Sequence, residues 1–289
     1  MGTSINKESS AVSRLGCSSL ASPAPQAWPH QVSRVAATGL AFAAFMVSAL
    51  VLALGVFPLV RVFPGTLDTK RRRIRRLIHH SFALFLRACA TLGLMRPPKI
   101  IGLGSLGITG PCILVANHPT LIDAVLIGSL VRDFNCVVKH TLRDHFFLGG
   151  PIRAAGYVTN EEPAEVIRLC SAGFQQGQPL VIFPEGSRSM AGSPRPFSRG
   201  AAQLALRTGA PVIPVVITCD PPTLMKHQRW YEVPDRPFQL TVRFYPPLVC
   251  LKCDSLSDPL PIKARRFTRQ IEEFFKRELQ PAAVPEAFD

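Results

Sequence analysis

Acidic residues are scarce in this chain of 289 residues: 19 Asp and Glu stand against 33 Lys and Arg, a formal charge of +14 at pH 7. That imbalance narrows the partners to nucleic acid, an anionic membrane surface or an acidic ligand. Zinc-finger spacing, an RNP-like block and interleaved basic and aromatic residues are all missing, so no nucleic-acid partner is expected. Paired C-x-x-C motifs are missing too. Cys250 and Cys253 form one such pair without a second, which is too little for a metal or redox centre, and no metal is expected. Several of the eight Cys lie inside apolar runs, where a free thiol behaves as a small hydrophobe. Their even number makes no case for disulfides in a chain this long, and a reducing cytoplasmic setting fits. Met1-Gly2 opens like a myristoylation signal, but Asn6 breaks the pattern. There is no internal repeat.

Charge is absent altogether from Val35 to Val60, 26 positions. A stretch of that length can span a bilayer with some tilt. A buried core helix is the competing reading. A signal peptide fits less well, because its apolar region is shorter and nearer the terminus, and there is no convincing cleavage site. Residues 1–34, rich in Ser, Ala, Pro and Gln, read as a disordered tail. Beyond the apolar stretch, residues 61–80 hold seven Lys/Arg and one acid, Asp68. The positive-inside rule then places the C-terminal domain in the cytoplasm, on a single-pass anchor in the inner membrane. Residues 61–98 read as a basic amphipathic, membrane-proximal helix, with Ile74, Leu77, Ile78, Phe82, Phe85 and Leu86 on its apolar side. A charged helix packed on the core is the alternative.

From residue 99 to 289, short apolar runs alternate with helical patterns. Strands are expected near 100–104, 112–116, 135–138, 156–158, 180–183, 212–218 and 239–245. Helices are expected near 119–131, 163–176, 198–208 and 261–279. Short connections between them predict an α/β fold, a mixed central sheet flanked by helices.

The chemistry concentrates in CILVANHPTLIDAVLIGSL, Cys112 to Leu130. A buried strand ends at Ala116, and Pro119 suits the start of a helix. His118 therefore sits on the turn between them, where its ring can fold back on Asp123. A carboxylate there accepts the Nδ1 proton and leaves Nε2 as a base. With 7 His and 9 Asp in the chain, about 0.2 such pairs arise by chance, so the spacing alone is weak. The second segment is VIFPEGSR, Val181 to Arg188, another strand running into a polar turn. Together, NHPTLID and FPEGSR resemble the two best-known motifs of the glycerolipid (lysophosphatidic acid type) acyltransferases. Val212-Ile-Pro-Val215 resembles a weaker fourth block. The resemblance covers about half of the chain, roughly residues 100–244.

It implies acyl transfer from acyl-ACP or acyl-CoA to a hydroxyl or amine of a lyso-lipid, at a membrane. His118 would be the general base and Asp123 its orienting acid. Asn117, Lys139, Glu185, Gly186, Ser187 and Arg188 are the expected substrate-binding residues. No cofactor beyond the thioester is implied. One departure stands out: the family's third block ends in an arginine that helps hold the acceptor phosphate, and Asn160 stands there. Lysophosphatidic acid is thus expected to be a poor acceptor unless Lys139, Arg143, Arg153 or Arg188 supplies the charge. The block VVK…PIRAAGYVTN is similar to a branch accompanying aryl polyene or xanthomonadin-type pigment genes, so the acyl group could be fatty or aryl-polyene. A thioesterase using the same His–Asp pair, and a nonenzymatic membrane-anchored lipid-binding protein, are the rival readings.

Overall fold

The computed structural model describes residues 28–106, 110–188, 196–250 and 258–280. Among these residues seven strands form one mixed sheet. At its centre β2 (Ile113–Ala116) pairs in parallel with β5 (Leu180–Ile182) and β6 (Val212–Asp220). β3 (Asn135–Val138) and β4 (Val158–Thr159) extend the parallel part beyond β5. On the other side β7 (Gln239–Phe244) runs antiparallel to β6, and β1 (Lys99–Ile101) pairs in parallel with β7. The order is β1-β7-β6-β2-β5-β3-β4.

Both faces of the sheet are covered, which is why its central strands are continuous apolar runs. Alternate side chains go to opposite sides. Leu114, Ala116, Val215 and Ile217 pack with Leu86 of α3 (Leu67–Thr91) and with Val125, Leu126 and Ile127 of α5 (Asp123–Leu130). Ile113, Val115, Leu180 and Val216 pack against Phe174 of α7 (Pro163–Gln175), Leu204 of α8 (Gly200–Thr208) and Phe267, Ile271 and Phe275 of α9 (Leu260–Leu279). Short α4 (Leu103–Leu106) follows β1. A further helix, α6 (Gly149–Ala155), lies where sequence reading expects none; Gly156, at φ +71°, ends it.

The expected tail to residue 34 lies outside the described residues as far as 27, and helix begins within it. α1 (Trp28–Val51) continues through a π-helical turn, Leu52–Val56, into α2 (Phe57–Val62). Pro58 does not end the helix. The Phe57 amide already bonds five residues back, to Leu52 O, so the helix is re-registered before the missing proline donor arrives. Gln31–Val62 is long and apolar enough to cross a membrane. One side of it lies along the domain. Arg34 donates to Pro234 O, Phe45 packs on Phe85 with ring centroids 4.8 Å apart, and Phe57 is buried with Ile74 and Ile78. Leu40, Val47, Val51 and Leu54 line the opposite side and are exposed.

The basic helix α3 spends its apolar side on the core, since Ile74, Ile78 and Leu86 are buried. Arg72, Arg73 and Arg76 are turned outward, while Arg75 is buried. Cys250 is disulfide-bonded, with its partner outside the described residues, whereas sequence reading counts no disulfide.

Candidate active site

The site forms at the carboxyl ends of β2 and β5. Beyond Ala116 the chain does not enter a helix at Pro119 as the pattern predicts; α5 begins only at Asp123. The reason is local. The Thr120 amide and hydroxyl both bond the Asp123 carboxylate, at 2.7 and 2.5 Å, and the Leu121 amide bonds Leu224 O at 3.0 Å. These donors are spent on a turn. That turn brings His118 Nδ1 to 2.8 Å from Asp123 Oδ2.

Oδ2 also receives the Thr120 amide, which can only donate. It therefore acts as an acceptor towards its neighbours, and His118 donates through Nδ1. Nε2 is left with its lone pair. Asp123 is fully buried. Burial pushes its carboxyl up from the usual range, while the His118 and Thr120 donors pull the other way by favouring the charged form. The His118 ring is one-fifth exposed and stacks on Phe183, with centroids 4.5 Å apart.

The residues of FPEGSR divide by task. Glu185 is buried, and its Oε1 accepts the His118 backbone N–H at 3.2 Å, which ties the β5 turn to the β2 turn. Gly186 has φ +68°, and a Cβ there would meet open space, so its role is conformational. Arg188, expected to hold phosphate, donates through Nη1 to Leu224 O and Met225 O at 3.0 and 3.2 Å. Because Leu224 O also accepts from Leu121, Arg188 braces the His118–Asp123 turn. Asn117, expected to bind substrate, is buried with its carboxamide bonded at both ends to the Ile217 backbone, at 2.8 and 2.7 Å. It stitches β2 to β6.

A cavity of about 550 Å³ opens beside His118, within the range of ligand sites. Val137, Val138, Val166, Ile167, Ile182 and Phe183 give it apolar walls. Lys139, Gly186 and Ser187, all expected in the site, line it as well, and so does Asn160. Asn160 Oδ1 accepts the His140 amide at 2.9 Å, so the residue in the arginine's place holds the loop after β3. Three participants were missed by sequence reasoning. Thr120 and Phe183 lay within the quoted motifs but carry no titratable group to draw notice. Arg199 lines the cavity from the start of α8 and lies outside both motifs. Cys136 is the one thiol among the lining residues, and burial pushes it up to about 12, far from a thiolate nucleophile at neutral pH. Among the described residues no three His, Cys, Asp or Glu gather as a metal site.

The family model described as Acyltransferase matches residues 97–218. That stretch is similar to the domain the family model describes. The matched segment includes the His118–Asp123 turn and the β5 turn, while α1 and α9 fall outside the match. Curated relatives include the chloroplastic 1-acyl-sn-glycerol-3-phosphate acyltransferase BAT2 of Brassica napus, 28% identical over 151 residues, 50% of this chain and 44% of that protein. The mouse 1-acyl-sn-glycerol-3-phosphate acyltransferase alpha is 30% identical over 148 residues, 48% of this chain and 50% of that one. The Borreliella burgdorferi enzyme of the same name is 28% identical over 145 residues, 46% and 57% of the two chains. The chain thus spans about half the length of the curated relatives it matches. Among solved structures, the 1-acyl-sn-glycerophosphate (LPA) acyltransferase PlsC of Thermotoga maritima superposes with a TM-score of 0.63 at 23% identity, over 86% of this chain and 98% of that one. Over most of its length the chain therefore shares that structure's fold.

Proposed function

We propose that this chain transfers a fatty or aryl-polyene acyl group from acyl carrier protein or CoA to the hydroxyl of a lysophosphatidic-acid-type lyso-lipid at a membrane surface. The observation that carries the reading is the His118 Nδ1 contact with a buried Asp123, 2.8 Å long, on a ring that lines a largely apolar cavity. Nε2 takes the acceptor's hydroxyl proton as the oxygen attacks the thioester carbonyl. The C–S bond then breaks, and the departing thiolate recovers that proton from the imidazolium. Asp123 stabilises the cation between the two steps. No acyl-enzyme is needed, because the acceptor supplies the nucleophile. Incubation with a labelled acyl thioester, with and without lysophosphatidic acid, tests the reading. Label in the diacyl product supports it; free acid released at the same rate without acceptor means a thioesterase instead.

Asn160 is neutral, yet Arg199 adds a cation to the cavity that carries Lys139. The proposal gives these two the acceptor phosphate, and the relatives named for 1-acylglycerol-3-phosphate agree with it. Lys139→Ala and Arg199→Ala should each raise KM for lysophosphatidic acid about tenfold, as expected for a lost charge-assisted contact. KM for an uncharged monoacylglycerol should barely move. Unchanged KM for the phosphorylated acceptor in both variants would place the phosphate elsewhere. A gain in kcat/KM from Asn160→Arg would show that two cations are too few.

Membrane attachment falls to Gln31–Val62, with the catalytic domain on the cytoplasmic side. Since one side of this helix is already packed on the domain, its exposed stripe is the surface left for lipid. Changing Leu40, Val47, Val51 and Leu54 together to Gln should turn a carbonate-resistant membrane protein into an extractable one, leaving the packed side intact. Continued resistance would mean that another surface inserts.

A further inference from the structure

A second cavity, of about 350 Å³, lies between α3, α6 and the end of α7 and shares no lining residue with the one beside His118. Its wall brings together Arg71 and Arg75 of α3, Arg153 of α6 and Arg143, against one lining carboxylate, Asp68. Arg75 is paired with Asp133, but the other three guanidiniums repel one another around a small void unless something anionic joins them. Two buried atoms sharpen the point. Arg75 is 2% exposed; its Nε bonds Asp133 at 2.6 Å and its Nη1 bonds Ala155 O at 2.9 Å, but Nη2 has no partner. Tyr157 lines the same cavity, and its buried hydroxyl has none either. Leaving a buried donor unmade is costly, and charged donors cost most. Both are donors with a common direction of need, an acceptor oxygen. Gly156 makes room for this grouping: a Cβ there would lie 2.7 Å from Arg71 Nε and would displace that guanidinium from the end of α6.

We propose that this cavity binds a phosphate monoester, held by Arg71, Arg143 and Arg153, with the unpartnered donors of the lining residues Arg75 and Tyr157 buried behind them. The guanidinium fork suits a tetrahedral oxyanion, which offers several acceptor oxygens at once. The shared chemistry admits two sources, a soluble phosphate or the headgroup of an anionic lipid. The second fits the position of the cavity at the first turns of α3, four residues beyond the apolar helix that ends at Val62.

The test uses the full chain in detergent and in phosphatidylcholine nanodiscs. Calorimetric titration with inorganic phosphate reads the soluble source, and nanodiscs with and without phosphatidic acid read the headgroup. Arg71→Gln and Arg153→Gln should each weaken binding about tenfold. Arg76→Gln, an exposed arginine on the same helix that does not line the cavity, should have little effect. Arg71-dependent binding of inorganic phosphate assigns the site to a soluble ligand. Arg71-dependent binding seen only with phosphatidic acid assigns it to the headgroup. Absence of binding from both arms, or equal losses in Arg71→Gln and Arg76→Gln, overturns the proposal in favour of a diffuse basic surface. Acyl transfer by the same variants is read separately, so failure of this site leaves the reading of the His118 cavity untouched.

Discussion

A folded His118→Ala protein should turn over 10²–10⁴-fold more slowly than wild type, about the contribution of a positioned general base. The expectation rests on where the ring stands. It is the one imidazole lining the main cavity, and its Nδ1 proton is already committed to Asp123, so Nε2 is the basic atom available to the acceptor. Folding should survive, because the ring is partly exposed and makes one side-chain hydrogen bond. The cost is a buried Asp123 that keeps the two Thr120 donors but loses a third, about 1–3 kcal/mol. Melting temperature and far-ultraviolet circular dichroism check that the variant is folded. His118→Gln offers a second control, since its amide can donate to Asp123 without acting as a base. Turnover close to wild type in either folded variant would remove His118 from the chemistry.

How far the site was legible in the sequence depended on the kind of signal each residue carries. His118 and Asp123 could be read because a strand pattern ended just before them and a motif fixed their spacing. The layout of β2, β3, β5 and β6 was legible for a similar reason: a sheet buried on both faces demands continuous apolar runs, and these have few rivals. The helix boundary at Pro119 was not legible, because proline permits a helix start without requiring one. Tertiary bonds from Thr120 to Asp123 and from Leu121 to Leu224 decided it instead. Glu185, Arg188 and Asn117 look like ligands by residue type, and nothing local says that their partners are backbone groups of other strands and turns, up to 100 residues away. Arg199 was hidden for the opposite reason, as one arginine among many in a basic chain. The same abundance hid the grouping of Arg71, Arg75, Arg143 and Arg153, which exists only once α3 is laid against α6.

Asp123→Asn should lower kcat on the order of 10³–10⁴-fold, the scale seen when the orienting carboxylate of a His-based triad is neutralised. It should also leave acceptor KM nearly unchanged. The replacement fits the site with little adjustment. An amide oxygen in the place of Oδ2 can still accept from the Thr120 amide and from His118 Nδ1, and the new NH₂ can donate to a rotated Thr120 hydroxyl. What disappears is the negative charge beside an imidazole that must become a cation while the acceptor attacks. In a fully buried position no water replaces that charge, so its loss is felt mainly in the transition state. Burial itself favours a neutral group here, as the upward push on the Asp123 carboxyl shows. The variant should therefore be at least as stable as wild type while being far less active. That pairing separates a catalytic carboxylate from a structural one. A melting temperature that falls along with activity, or an effect confined to KM, would mean that Asp123 shapes the turn or binds substrate and does not serve the proton transfer.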